Sequence, residues 1–341
     1  MLDKVTIKDI AKKANVSVST VSKVLNGYND VSEKTKAIVL EAVEQMKYVP
    51  DMMARNLVKS ENKRVAILIE VTDEGENLNV FNFDITIGFR QYMSEANYEV
   101  VLLTTTPKKQ KSLSLSKLFY ANHLDGIFIM GLNFSDNYYT EVQTIDFPNV
   151  LLDFPARGPR GGSVGVNNMK GAMLATEHLL ELGHRKIALV NGSNEAHVCK
   201  ERLNGYLLAL NKYNINMDRK IIYDSDFSEA GGGRAIKELL KIDDSITAVF
   251  AVSDFMASGV IKYLQSIGKS VPEDMSVVGF DDIVIASHMT PRLTTIRQDR
   301  YDVGVLAATL LLNLINGQNI NSVYVEPELM VRESTKKRSK L

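Results

Sequence analysis

The sequence predicts an α/β chain with an N-terminal helix-turn-helix head (residues 1–48), a hinge helix (49–60) and a two-lobed Rossmann-like core (61–341). Three observations carry that prediction. Two short amphipathic patterns with three- and four-residue spacing stand close together near the N-terminus. From Val65 onward, β-rich apolar runs alternate with helical patterns, which implies parallel sheets covered by helices on both faces. Roughly 280 residues of such units exceed what one hydrophobic core ordinarily holds, so two lobes are expected.

In the head, Ile7, Ile10, Ala11 and Ala14 line one side of a helix, with Thr6 as N-cap and Asp9 three residues later. Asn15 tolerates a left-handed turn and ends it. Ser17 caps a second helix on which Thr20, Val21, Val24 and Leu25 recur. Two helices so joined form the unit whose second helix enters the DNA major groove. A third helix is expected over 32–46, capped at Ser32, with Ile38, Val39, Ala42, Val43 and Met46 as its inner face. Pro50 stops it. Residues 52–58, bearing Arg55 and Leu57, form a helix too short to be stable alone. The charged stretch 59–64 marks the first boundary.

In the core, strands are expected at 65–71, 99–104, 126–130, 150–154, 163–166, 186–191, 221–223, 248–252 and 276–280, with a last one near 323–331. Helices are expected at 83–96, 110–121, 170–182, 200–213, 232–241, 255–267 and 301–315, with another between the strands ending at 130 and 154. A cleft between the lobes is the natural place for a small ligand.

Composition limits the function classes. With 45% hydrophobic and 24% charged residues, this is an ordinary globular composition. Cys199 stands alone, which excludes an intramolecular disulfide and suits a reducing cytoplasm. The first ten residues are charged and amphipathic, unlike a signal peptide. The longest apolar run, 303–315, is too short to span a bilayer, so no membrane partner is expected. Net charge is −1, yet residues 1–60 hold ten Lys/Arg against seven Asp/Glu, leaving +3 there and −4 on the rest. A basic head on an acidic body suits a local nucleic-acid contact. Gly231-Gly232-Gly233-Arg234 lacks the Lys-Ser/Thr of a phosphate loop and reads as a helix entry. The histidines have no metal-ligand spacing, and no serine–histidine–acid set can be assigned. No catalytic residue, metal or cofactor is expected, and the chain is not read as an enzyme.

Thr6, Asp9, Ala11, Ala14, Val16, Ser17, Thr20, Val21, Ser22, Asn26 and Gly27, with the run 31–57, closely resemble the DNA-binding domain of the lactose-repressor/galactose-repressor family of bacterial transcription regulators. Segments 178–192, 201–206, 247–259, 270–282 and 291–299 resemble that family's effector-binding core, similar in fold to periplasmic sugar-binding proteins. The resemblance implies a sequence-specific regulator, in the first place a repressor. Its expected partners are double-stranded operator DNA with an inverted repeat, a small-molecule effector (a sugar foremost) and a second copy of the chain. A homodimer rather than a tetramer is expected because no leucine heptads follow Glu333. Base contacts are carried onto Val18, Ser19 and Lys23, with Leu57 wedged into the minor groove at the operator centre. Phosphate contacts are assigned to Thr6, Ser17, Thr20, Ser22 and Asn26. Effector contacts are carried onto Arg202, Asp254 and Asp281, with aromatic or apolar walls from Phe227 and Phe83, and further contacts from Ser253 and Asp153. The family's hinge folds when two copies meet on DNA, and its chain threads between the lobes three times. Residues 72–82 depart from the pattern, being longer and more acidic than the loop usual there.

A solute-binding transport protein accounts for the core but not the head. A sugar-modifying enzyme requires a catalytic base or phosphate site that the sequence does not display. A regulator answering to a nucleobase corepressor or a partner protein is the alternative within the same class.

Overall fold

Ile10, Ala11 and Ala14 of α1 (Ile7–Ala14), Val21 and Val24 of α2 (Val18–Leu25), and Val39 and Ala42 of α3 (Glu33–Gln45) meet in one apolar core. The computed structural model describes residues 5–25, 31–46, 63–71, 81–156, 158–318 and 322–338. The chain divides into two compact units, Met1–Asn62 and Lys63–Leu341.

Local chemistry sets the head's boundaries. Asp9 accepts from Thr6 N at 2.8 Å and Thr6 Oγ1 at 2.6 Å, which holds its carboxyl below the usual range. Asn15 takes φ 51° and turns the chain out of α1. Ser17 Oγ accepts from Thr20 N at 3.1 Å, and Ser32 Oγ from Thr35 N at 3.2 Å, so each caps the helix that follows. Ile38, expected on the inner face of α3, is 42% exposed instead; Val43 and Met46 are only partly buried. From α3, Val39 and Ala42 suffice to complete the core of so small a unit.

In the larger unit the strands are β1 (Arg64–Glu70), β2 (Glu99–Thr105), β3 (Gly126–Met130), β4 (Asn149–Leu152), β5 (Gly161–Val166) and β6 (Ile187–Asn191). There follow β7 (Ile222–Asp224), β8 (Ala248–Ala251), β9 (Ser276–Asp281), β10 (Thr294–Arg297), β11 (Ser322–Val325) and β12 (Glu328–Met330). One sheet runs β11-β5-β4-β3-β1-β2 and the other β12-β10-β9-β8-β6-β7. All pairings are parallel except β10 with β12. β1 explains why its run is continuously apolar. Val65, Ile67 and Ile69 join the core under helices Phe81–Glu95 and Arg300–Ile315, while Ala66 and Leu68 join the core under Leu115–Ala121.

The chain passes between the lobes at 166–168, 297–300 and 325–328. The last passage corrects a sequence expectation. Residues 323–331 form two strands in different sheets, split at Glu326-Pro327, where proline has no N–H to continue the first ladder. The helix expected over 110–121 is two, Pro107–Ser112 and Leu115–Ala121, because Ser114 caps a fresh start by accepting from Lys117 N. Strand β10 was not foreseen; it is four residues long and has no alternation. Gly232 lies inside helix Glu229–Ile242, where a Cβ would come within 2.1 Å of Met256 O. Gly232 therefore lets helix Asp254–Ser266 pack close, and Gly231 leaves room for the Asp226 and Ser225 side chains, so the glycines serve packing more than a helix start.

Candidate functional site

On the head, Val18, Ser19 and Lys23 are exposed on α2, with Ser22 half-buried beside them. The hydroxyl of Ser17 lies 2.7 Å from that of Ser19 and 2.8 Å from that of Thr20, so three hydroxyls gather at the start of α2. Thr6 is exposed at the start of α1. Asn26, Leu57 and the hinge segment 49–60 lie outside the described residues.

A cavity of about 480 Å³ opens between the two lobes of the core. Both lobes present to it the carboxyl ends of their strands, where parallel sheets gather loops for binding. Of the expected effector residues, Arg202, Asp281, Phe227, Ser253 and Asp153 line it. Three of these, Asp153, Phe227 and Asp281, take positive φ (55°, 63° and 115°) without being glycine. Such backbone persists only where surrounding packing enforces it.

Arg202 is 3% exposed and heavily tied. Its Nε donates to Asn168 Oδ1 at 2.8 Å, its Nη1 donates to Val252 O at 2.5 Å, and its guanidinium lies over the Phe280 ring at 3.7 Å. Asp281 Oδ1 sits 3.7 Å from Nη1 and accepts from Gln298 Nε2 at 2.6 Å. Burial pushes the Asp281 carboxyl up to about 6, against the pull of Arg202 and Arg300. Asp153, from the other lobe, accepts from Asn168 Nδ2 at 3.2 Å; burial raises its carboxyl and Arg202 partly offsets this. The series Asp153–Asn168–Arg202–Asp281 thus spans the lobes beside the cavity. Ser253 caps helix Asp254–Ser266 by accepting from Met256 N at 3.2 Å.

Two expected residues do not line the cavity. Asp254 is wholly buried, accepting from Thr295 Oγ1 at 2.5 Å and from Ile283 N at 2.9 Å. Both oxygens are engaged inside one lobe, so it braces β10 and the 283 turn; burial, with Asp281 nearby, raises its carboxyl well above the usual range. Phe83 is 65% exposed near the start of helix Phe81–Glu95 and apart from the lining.

Glu70 was missed in the sequence. It ends β1 and lines the cavity, accepting from Gln110 Nε2 and from Asn133 Nδ2 at 3.2 Å. Burial and the neighbouring Asp136 push its carboxyl up to about 8. A signal existed: it is the acidic residue closing an otherwise apolar parallel strand, at the end where ligands bind. His197 and Phe154 also line the cavity, their rings 5.5 Å apart across the lobes. Among the described residues, no group of side chains is placed to hold a metal ion, and no helix is long and apolar enough to cross a membrane.

Residues 6–51 match the model of bacterial regulatory proteins, lacI family, and residues 176–335 match the periplasmic binding protein-like domain. The chain is 31% identical to the HTH-type transcriptional repressor PurR of Aliivibrio salmonicida over 97% of its own length and 99% of the relative's. It superposes on the structure of a lac repressor dimer bound to operator and the anti-inducer ONPF with a TM-score of 0.85 and 26% identity, covering 98% of this chain and 100% of that one. A complex of the transcriptional regulator CelR with cellobiose is 30% identical, TM-score 0.74, covering 97% of this chain and 99% of that one. With a helix-turn-helix head, a two-lobed periplasmic-binding-protein-like core and full-length relatives of this kind, the chain belongs to the lacI family of bacterial regulatory proteins, which are DNA-binding transcriptional repressors and not enzymes.

Proposed function

We propose that the chain represses transcription as a homodimer on an inverted-repeat operator and is released when a sugar or sugar derivative fills the inter-lobe cavity. The carrying observation is the cavity wall, where Arg202, Asp281, Asp153 and Ser253 surround an apolar face from Phe227. Carboxylates and a planar cation suit paired hydroxyls, and the ring suits a sugar's apolar face. Because the wall comes from both lobes, an occupant biases their relative orientation. The cellobiose complex of a relative supports a sugar. In the head, Val18, Ser19 and Lys23 read base edges and Leu57 wedges the minor groove, while Thr6, Ser17, Thr20, Ser22 and Asn26 hold phosphates. One head reads one half-site, so a palindrome requires two.

Operator affinity measured across titrations with ribose, glucose and cellobiose tests the effector role. Release by at least one is expected; indifference to all of them counts against a sugar. A second reading, a nucleobase corepressor, draws on the Phe154, Phe227 and Phe255 rings in the same wall. Tighter operator binding with adenine or guanine would select it.

A further inference from the structure

We propose that Glu70, backed by Asp136, acts as a charge filter in the cavity, admitting effectors that are uncharged or cationic and turning away phosphorylated or carboxylated ones. This rests on the effector role proposed above and narrows its chemistry.

Glu70 and Asp136 form an acidic pair with amide company only. Gln110 and Asn133 donate to Glu70, and Asp136 Oδ2 accepts from Asn133 N at 2.5 Å. Among the described residues, neither carboxyl has an ion-pair partner. Segment 72–80, which follows Val71, contains no lysine or arginine. Three other acids at the wall differ in this respect, Asp281 lying 3.7 Å from the Arg202 guanidinium. Asp226 is paired with Arg234, and Glu229 with Lys262 at 2.8 Å. The nearby Lys200 is turned onto the Phe134 ring, 4.0 Å from its centroid.

Cationic capacity for an anion is equally limited. Arg202 is the arginine of the wall, and its Nε and Nη1 are already engaged by Asn168, Val252 O and the Asp281 carboxylate. A phosphate needs the free fork of a guanidinium or a set of backbone N–H groups. Here it would compete with Arg202's bonds to Asn168, Val252 O and Asp281, and would face Asp153, Asp281 and the Glu70–Asp136 pair. A sugar hydroxyl or an amine meets the opposite situation, since carboxyl oxygens accept from either. Because burial and Asp136 push the Glu70 carboxyl up to about 8, Glu70 adds its own charge to the filter as pH rises through that value.

Binding to the full-length protein, by calorimetry and thermal shift at about pH 9 where the Glu70 carboxyl is ionised, should be compared for ribose and ribose 5-phosphate, glucose and glucose 6-phosphate, and adenine and adenosine monophosphate. In wild type, a neutral member is expected to bind at least about a hundredfold more tightly than its phosphorylated counterpart. In Glu70→Gln/Asp136→Asn that gap should narrow at least about tenfold, through better binding of the phosphorylated member. Glu70→Gln alone, the milder change, should narrow it less, and provides the folded comparison if the double variant melts early. Equal or tighter binding of a phosphorylated member by wild type overturns the filter while leaving the effector site standing. An unchanged gap in a folded Glu70→Gln also overturns it. Silence from the whole panel overturns the effector reading itself and the filter with it.

Discussion

Arg202 Nε donates to Asn168 Oδ1 at 2.8 Å, so an arginine of the cavity wall is tied to the residue that ends the first lobe crossover. The same Asn168 donates to Asp153 of the other lobe. The cavity wall and the lobe crossover therefore share a side-chain network. Removing it should change both stability and response.

Arg202→Ala is expected to cost about 3–5 kcal/mol of stability, because it strands the buried Asp281 carboxylate. Combining Arg202→Met with Asp281→Asn should recover much of that loss by removing the stranded charge. Ligand affinity should drop about tenfold to a hundredfold in either variant, in line with about 1.5–3 kcal/mol for a charge-assisted bond. Denaturant melts and operator titrations with cellobiose or ribose measure the two effects. Coincident titration curves for folded variant and wild type would remove Arg202 from the ligand site.

Asp254 is a brace, and its loss should act on folding alone. Asp254→Ala leaves Ile283 N and Thr295 Oγ1 without their acceptor, at about 1–3 kcal/mol for each stranded group. The effector titration midpoint should stay where it is under conditions that keep the variant folded. A displaced midpoint with little loss of stability would return Asp254 to the ligand site.

Glu70 makes stability depend on pH in a stated direction. Its ordinary value is 4.5 and its folded value about 8, raised by burial and Asp136 against Gln110 and Asn133. Across the cavity it faces Asp153, Arg202 and Asp281. Between those two values the folded chain holds a proton that the unfolded chain has lost. The contribution is therefore fully present below about 4.5 and declines as pH rises through about 8. The melting temperature of wild type should fall relative to Glu70→Gln between about pH 5 and about pH 8.5. Parallel curves for the two proteins would show that Glu70 titrates normally.

Lys23 stands on the exposed side of α2 next to Val18 and Ser19. Lys23→Ala is expected to relax preference at one base pair in each half-site, costing about 1–3 kcal/mol against the preferred base. Competition among single-site operator variants reads this out. A uniform loss on every variant would make Lys23 a phosphate contact instead.

Much of the architecture was legible in the sequence because it rests on local chemistry. The caps at Ser17 and Ser32, the left-handed turn at Asn15 and the doubly buried run of β1 all follow from side chains near each other in the chain. The helix-turn-helix and the alternation of strands and helices needed nothing more. Where one lobe ends was not local. Residues 323–331 read as one β-rich run, yet Pro327 divides them between two sheets, a choice made by which strand edge each half meets.

The proposed effector site divides in the same way. Arg202, Asp281, Asp153, Ser253 and Phe227 stood out by residue type and family pattern, and all five line the cavity. Asp254 looked equally suitable, being a carboxylate beside Ser253, but a helix turns successive side chains in different directions. Its carboxylate points to Thr295 and Ile283 within the lobe. Glu70 had the converse fate. It looked like the polar end of a core strand until the fold set Gln110, Asn133 and Asp136 around it, residues 40 to 66 positions further along the chain. The sequence by itself determined which elements form and which residue types are available for chemistry. Only the tertiary structure decided which of them face the cavity and what charge they carry there, because orientation and desolvation depend on neighbours that the chain brings together from far apart.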